Sequence, residues 1–153
     1  MSKIIISPYS RRLRNGKPNP KNYPFWGDLI KLLREKNMYV IQVGVRGEKE
    51  LKGVDETQFN KPLKELVVLL SKCDYWISVD NFFQHLAYVN GKPGFVLFGQ
   101  SDPNIFGHKE NTNILKDRKY LRPLQFDIWE RTEPNNECFV KPEIVVDRIF
   151  KGV

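Results

Sequence analysis

Residues 75–99 read YWISVDNFFQHLAYVNGKPGFVLFG, and the succession of residue types in this stretch predicts strand, helix, strand. Tyr75 to Val79 is a short run of aromatic and β-branched residues, the composition of a buried strand. It stops at Asp80 and Asn81. Phe82 to Asn90 follows as a short helix, closed by Gly91, a residue suited to the left-handed backbone at a helix C-terminus. Lys92 and Pro93 lead into a second apolar run, Gly94 to Phe98, which Gly99 ends.

The pattern repeats on the N-terminal side. Lys3 to Ser7 (KIIIS) is a short apolar strand stopped by Pro8. From Pro24, the residues Phe25, Trp26, Leu29, Ile30, Leu32 and Leu33 recur at helical spacing to about Lys36. Met38 to Val43 reads as a strand, with Gly44 and Gly47 closing it. A polar stretch without clear periodicity comes next. Pro62 then opens a helix through Leu63, Leu66, Val67, Leu69 and Leu70 that ends near Cys73. Strands alternating with helices predict an α/β layer architecture with a mostly parallel sheet flanked by helices. Beyond Ser101 the chain is polar and broken by Pro103, Pro123 and Pro134. One further strand is expected at Asn113 to Lys116, and a last helix from Pro142 to Lys151 lays Ile144, Val145, Arg148 and Ile149 against the sheet. No repeat or linker divides residues 1–153, so a single Rossmann-like domain is expected.

No apolar run approaches the ~20 residues that a membrane-spanning helix requires. The N-terminus lacks the apolar stretch of a secretory signal, which predicts a cytoplasmic protein. The 2 cysteines, Cys73 and Cys138, and the 2 histidines, His85 and His108, form no recognisable disulfide framework or metal box. No metal and no cofactor is expected. The formal charge of +7 favours an anionic partner: a nucleotide, a nucleic acid or a phosphorylated glycan. Positive charge is densest at Arg11, Arg12, Arg14, Lys17 and Lys21, in a Pro- and Gly-containing loop. That loop is either solvated and mobile or a basic rim beside an anion site.

Open parallel sheets bind ligands beyond the carboxyl ends of their strands. Four segments reach that edge: Pro8 to Tyr23, Gly44 to Glu50, Asp80 to His85 and Gly99 to His108. Asp80 ends a strand just before a helix begins. It is expected either as the N-cap of that helix or, with Asn81 and the first-turn amides, as part of an anion site. His85 falls on the first turn of the same helix.

The segment ISVDNFFQHLAYVNGKPGFVLFGQSDPNIFGH resembles a stretch of glycosyltransferase family nine, the heptosyltransferase family, which reads strand, Asp-Ser-Gly-x-x-His-Leu-Ala, Gly-Lys-Pro, strand, Phe-Gly and Asp-Pro. Asp80, His85, Leu86, Ala87, Gly91 to Pro93, Leu97 to Gly99, Asp102 and Pro103 carry the likeness without a gap. Lys21 to Pro24 is similar to the Lys-Arg-Trp-Pro of that family, and Gly44 to Glu48 to its Gly-rich turn and Glu. The resemblance implies the C-terminal, donor-binding half of a GT-B glycosyltransferase. By position it implies that Lys21 contacts the diphosphate of a nucleotide sugar, Glu48 the ribose, and Asp80 the sugar and phosphate. Ser7, Asn81 and His85 complete the expected ligand-binding set, with Asp80 the candidate catalytic residue.

Two departures bear on activity. Asn81-Phe82 stands where the family has Ser-Gly, placing a bulky aromatic where backbone would approach phosphate. The resemblance also includes nothing of the N-terminal acceptor domain, which supplies the catalytic base in that family. Transfer would then need a base from a partner chain, from a second copy in a homodimer, or from Asp80. The alternative is a non-catalytic module for a nucleotide, glycan or nucleic acid, with Tyr9, Tyr23, Phe82 and Phe83 available either to stack on bases or to fill the core.

Overall fold

The computed structural model describes residues 1–151. Six strands, β1 (Ser2–Ser7), β2 (Met38–Gly44), β3 (Glu56–Phe59), β4 (Tyr75–Val79), β5 (Phe95–Phe98) and β6 (Thr112–Leu115), form one sheet in the order β3-β2-β1-β4-β5-β6, parallel throughout. Helix α1 (Trp26–Glu35) joins β1 to β2, α2 (Leu63–Lys72) joins β3 to β4, α3 (Phe82–Val89) joins β4 to β5, and α4 (Pro103–Phe106) joins β5 to β6. A long irregular segment then leads to α5 (Pro142–Phe150). The chain builds outward from β1 to β3 and crosses back to lay β4 on the other side of β1. Sheet order therefore reverses between β1 and β4.

The three isoleucines of β1 show why both faces must be covered, since all are fully buried. Ile4 and Ile6 point into a core with Ile77 and Val79 of β4, beneath Leu29, Ile30 and Leu33 of α1 and Val145 and Ile149 of α5. Ile5 points the other way, to Trp76, Val96 and Phe98, under Leu66 and Leu70 of α2 and Phe83 and Ala87 of α3. This alternation is the period of two of a strand, and apolar residues at every position are what two covered faces demand.

The structure differs from the sequence expectations at several points. Helix α1 starts at Trp26, not Pro24, and just before it buried Tyr23 donates a hydrogen bond from its hydroxyl to the Val140 carbonyl at 2.8 Å. The polar stretch after β2 contains β3, whose sequence ETQF is half-buried along its length. As an edge strand it pairs with β2 alone and carries no apolar run. In α5, Ile144 is exposed and Val146 takes the buried place. Both cysteines are free and buried, and burial pushes the Cys138 thiol up to about 11. Among the described residues no helix is long and apolar enough to cross a membrane.

The Gly-Lys-Pro turn is structural. Lys92 Nζ donates to the carbonyls of Leu70 (2.6 Å) and Cys73, serving the C-terminal end of α2, where unpaired carbonyls and the negative end of the helix dipole collect. The Lys92 carbonyl accepts from the Trp76 indole at 2.9 Å. Next to it, a Cβ on Gly94 would collide with the ring of that tryptophan. Trp76 is fully buried, so a shift of its ring would displace packed neighbours. Gly94→Ala is therefore expected to destabilise the protein by about 2 kcal/mol or more, as overpacked cores do, measured by urea unfolding. A loss within the error of wild type would show that the ring has room to shift.

Candidate functional site

A cavity of about 500 Å³ opens beyond the carboxyl ends of β1, β2 and β4, where the sheet order reverses. Ser7 ends β1, Lys21 comes from the β1–α1 loop, Glu48 from the β2–β3 loop, and Asp80, Asn81 and His85 from the β4–α3 junction. All six face this cavity. Open α/β sheets form ligand crevices at such a switch point, because the loops on either side of it diverge.

Asp80 is held from two sides. Gln84, fully buried one turn along α3, donates its amide to Asp80 Oδ1 at 2.9 Å. Lys21 Nζ lies 3.6 Å from Oδ2, with both side chains mostly buried. The Ser10 hydroxyl donates to the Asp80 backbone carbonyl, tying the β1–α1 loop to the end of β4. Asp80 does not cap α3. The cap is Asn81, whose Oδ1 accepts from Phe83 N–H at 3.0 Å. Its Nδ2 donates to the carbonyls of Ser7 (3.2 Å) and Tyr9 (3.1 Å) and to Ser7 Oγ (3.0 Å). The extended backbone at Asn81 turns its short amide back over the first turn, which leaves the Asp80 carboxylate to the cavity.

Glu48 curls over the end of β2. Its Oε1 accepts from Val45 N–H at 2.9 Å, and a Cβ on Gly44 would run into that carboxylate and the Phe59 ring. It pairs with neither Arg46 nor Lys49. Burial pushes its carboxyl up from the ordinary range, against the Val45 hydrogen bond and the field of Arg12. Buried Gln42 in β2 fixes the loop by donating to Lys49 O (2.9 Å) and accepting from Leu51 N–H (2.7 Å). His85 Nδ1 meets His108 Nε2 at 2.8 Å, and His108 stacks on Tyr88 with ring centroids 3.9 Å apart. Burial, and after it the neighbouring His108, lowers the His85 pKa. Among the described residues no group of three or more His, Cys, Asp or Glu side chains is placed to hold a metal.

The basic loop is folded rather than merely solvated. Ser10 N–H donates to Asn22 Oδ1 at 2.8 Å, Asn19 Nδ2 to Arg11 O at 3.0 Å, and Arg14 N–H to Glu130 Oε2 at 2.8 Å. Arg11 reaches the cavity, whereas Arg12 borders a smaller neighbouring pocket. Of the aromatics considered for base stacking, Tyr23 and Phe83 belong to the core, while Tyr9 and half-exposed Phe82 line the cavity.

Sequence reading misses Trp129, which lines the cavity from the irregular segment before α5. That segment is built around Arg122. Its buried guanidinium donates to the carbonyls of Gln125 (2.9 Å), Asp127 (2.6 Å) and Ile128 (3.2 Å) and to Thr132 Oγ1 (3.0 Å), and it packs 3.5 Å from the Trp129 ring centroid. Lys21 Nζ is 5.5 Å from the same centroid. A single aromatic in a stretch without periodicity carries no local signal of this position. Asp102, by contrast, is committed elsewhere: it caps α4 through Asn104 N–H at 2.9 Å and takes both arms of Arg118 at 3.0 and 2.8 Å.

Comparison with solved structures places the architecture. The E. coli heptosyltransferase WaaC with ADP superimposes on 99% of this chain and 44% of its own, at TM-score 0.67 and 16% identity. The E. coli ADP-heptose LPS heptosyltransferase II gives 97% and 45%, at TM-score 0.66 and 16% identity. The dodecameric iron-containing heptosyltransferase TibC, from enterotoxigenic E. coli and solved with ADP-D-β-D-heptose, gives 99% and 46%, at 0.69 and 18%. The chain has the fold of the C-terminal half of a GT-B heptosyltransferase. It spans less than half the length of these proteins. No protein-family model matches the sequence, and no curated protein matches it at a significant level.

Within this fold, Phe82 occupies the first turn of α3 but leaves the cavity open, standing half exposed on its wall. The greater change is Asn81, whose side chain already uses the Phe83 amide. Asn81→Ala removes a cap and leaves the Ser7 and Tyr9 carbonyls without this partner, so a loss of roughly 2 kcal/mol is expected. Asp80→Asn keeps an acceptor for Gln84 and is expected to cost about 1 kcal/mol or less. Urea unfolding of the two variants checks the order. The lowered His85 pKa makes a further prediction. Below the unfolded value of about 6.5 the unfolded chain takes up a proton that the native site resists. Stability present above that pH is therefore lost as pH falls toward the lowered native value. The melting temperature of His85→Asn should fall less than that of wild type between pH 7 and pH 5.

Proposed function

We propose that the cleft binds a nucleotide-diphosphate sugar, and that the chain acts as the donor half of a glycosyltransferase. The observation that carries this is the Lys21–Asp80 pair at the switch point: a cation 3.6 Å from a carboxylate, both opening on one cavity with Glu48 toward β2. Lys21 is a flexible point charge able to leave Asp80 for a phosphate. Arg11 adds a second positive charge to the same cavity. Glu48, with one oxygen engaged by Val45, presents the carboxylate that a ribose diol requires.

In transfer, Lys21 and Arg11 would offset the charge growing on the departing nucleotide diphosphate, the electrostatic contribution that this half can make. Asp80, oriented by Gln84, is the carboxylate nearest the sugar end and the candidate catalytic group. The acceptor, and a base if Asp80 does not serve, would come from a partner chain or from a second copy. One observation favours a second reading, a module that binds a nucleotide, glycan or nucleic acid without transferring a sugar. Asn81 ties up a first-turn amide of α3 that would otherwise meet an anion, while Tyr9 and Phe82 offer faces for stacking.

A thermal-shift series with ADP, UDP and GDP and their hexose conjugates, paired with an assay for release of the diphosphate from each conjugate, separates these readings. A diphosphate at ~100 times its dissociation constant stabilises the fold by about 2.7 kcal/mol, several degrees at this size. Lys21→Met is expected to remove most of that shift. Asp80→Asn should retain diphosphate binding and abolish release of nucleotide diphosphate from the sugar donor. No shift with any of them, together with salt-dependent binding of single-stranded nucleic acid, would establish the second reading.

A further inference from the structure

We propose that Trp129 is the platform on which the sugar of the donor stacks; the inference rests on the reading of the cleft as a nucleotide-sugar site. Three observations converge on this residue. The first is its place along the cleft. Glu48 stands at the β2 end, Lys21 and Asp80 at the β1–β4 switch point, and the Trp129 ring lies 5.5 Å from Lys21 Nζ. With the nucleoside at Glu48 and the diphosphate at Lys21, a sugar attached to that diphosphate is within reach of Trp129 and Asp80, both neighbours of Lys21 Nζ.

The second observation is chemical pairing. A pyranose has a face of C–H groups that is apolar and a rim of hydroxyls that is not. Recognising it takes an aromatic surface together with a polar group, and the half-buried indole and the Asp80 carboxylate, both neighbours of Lys21 Nζ in one cavity, supply them. Asp80 Oδ1 already accepts from Gln84, so the Oδ2 side, which holds Lys21 in the unliganded cleft, is the one a sugar hydroxyl would meet.

The third is rigidity. Arg122 is 7% exposed, donates four hydrogen bonds within its own loop, and packs at 3.5 Å on the indole. A ring held this way loses little freedom when a ligand arrives, which raises affinity by lowering the cost of ordering. A buried arginine with a loop wrapped around it costs desolvation that nothing in the helix–sheet packing requires. It gives the segment a fixed shape, and that shape carries Trp129 to the cavity.

The test compares each diphosphate with its sugar conjugate, using ADP and ADP-glucose, UDP and UDP-glucose, and GDP and GDP-mannose on the full chain. Trp129→Ala is expected to weaken the sugar conjugate roughly tenfold, about 1.4 kcal/mol, while leaving the bare diphosphate within about twofold of wild type. Trp129→Phe keeps a smaller ring and should fall between. Trp26 and Trp76 are buried at 3% and 0% exposure, so ligand-induced change in tryptophan emission reports Trp129 in the wild-type protein. The conjugate should change emission more than the diphosphate, and the difference should vanish in Trp129→Phe. This readout stands even if Trp129→Ala fails to fold. Equal losses for conjugate and diphosphate would make Trp129 a base platform or a structural residue and overturn the inference. So would unchanged emission on saturation with a conjugate that binds. If none of the three diphosphates binds, the reading of the cleft fails first and the inference with it.

Discussion

The Asn81 carboxamide sits at the point where the sheet reverses direction, and both sides of the cleft depend on it. Its two amide hydrogens are shared among three acceptors on the outgoing end of β1, while its oxygen holds the first turn of α3. One side chain thus sets the distance between the β1 and β4 loops. Ser10 reinforces the join through the Asp80 carbonyl. Each such bond contributes only about 1 kcal/mol net, but losing the side chain would leave several backbone groups unpaired where two loops diverge.

Around that joint the charges are arranged in partial balance. Lys21 and Arg11 face Asp80 and Glu48 across one cavity in a chain of net charge +7. A cation paired with a carboxylate at 3.6 Å in an open cleft is held loosely enough to be redirected. The surrounding protein fixes the carboxylates, through Gln84 and through Val45 N–H, and leaves the lysine on its flexible stem. A site of this kind is suited to an anion that displaces one half of an existing ion pair, with the carboxylate then available to hydroxyl groups.

Much of this was legible in the sequence. The isoleucines of β1 and the alternation of apolar runs with helical spacing identify the parallel sheet, because burial on both faces leaves no place for polar residues. Asp80 stands at the end of β4 and Glu48 in the loop that leaves β2, and the carboxyl ends of strands in such a sheet share one edge. Strand β3 was not legible: an edge strand needs partners on one side only, and its residues tolerate water. The identity of the cap was not legible either. Asp80 and Asn81 are both good capping residues, and only the backbone path at the end of β4 chooses between them.

The sequence by itself determined the layer architecture and the sheet edge at which six candidate residues line one cavity. The architecture and the edge follow from local periodicity and from residue types at strand ends, while Lys21 and Glu48 are pointed to by the resemblance of their segments to the heptosyltransferase family. Tertiary structure alone decided that Lys21 pairs with Asp80, that Lys92 serves the end of α2, and that Trp129 reaches the cavity. Each of these joins residues far apart in the chain, and none leaves a periodic trace. Trp129 is placed by a loop whose shape comes from hydrogen bonds to one buried guanidinium, and such bonds can be made by carbonyls of any residue type.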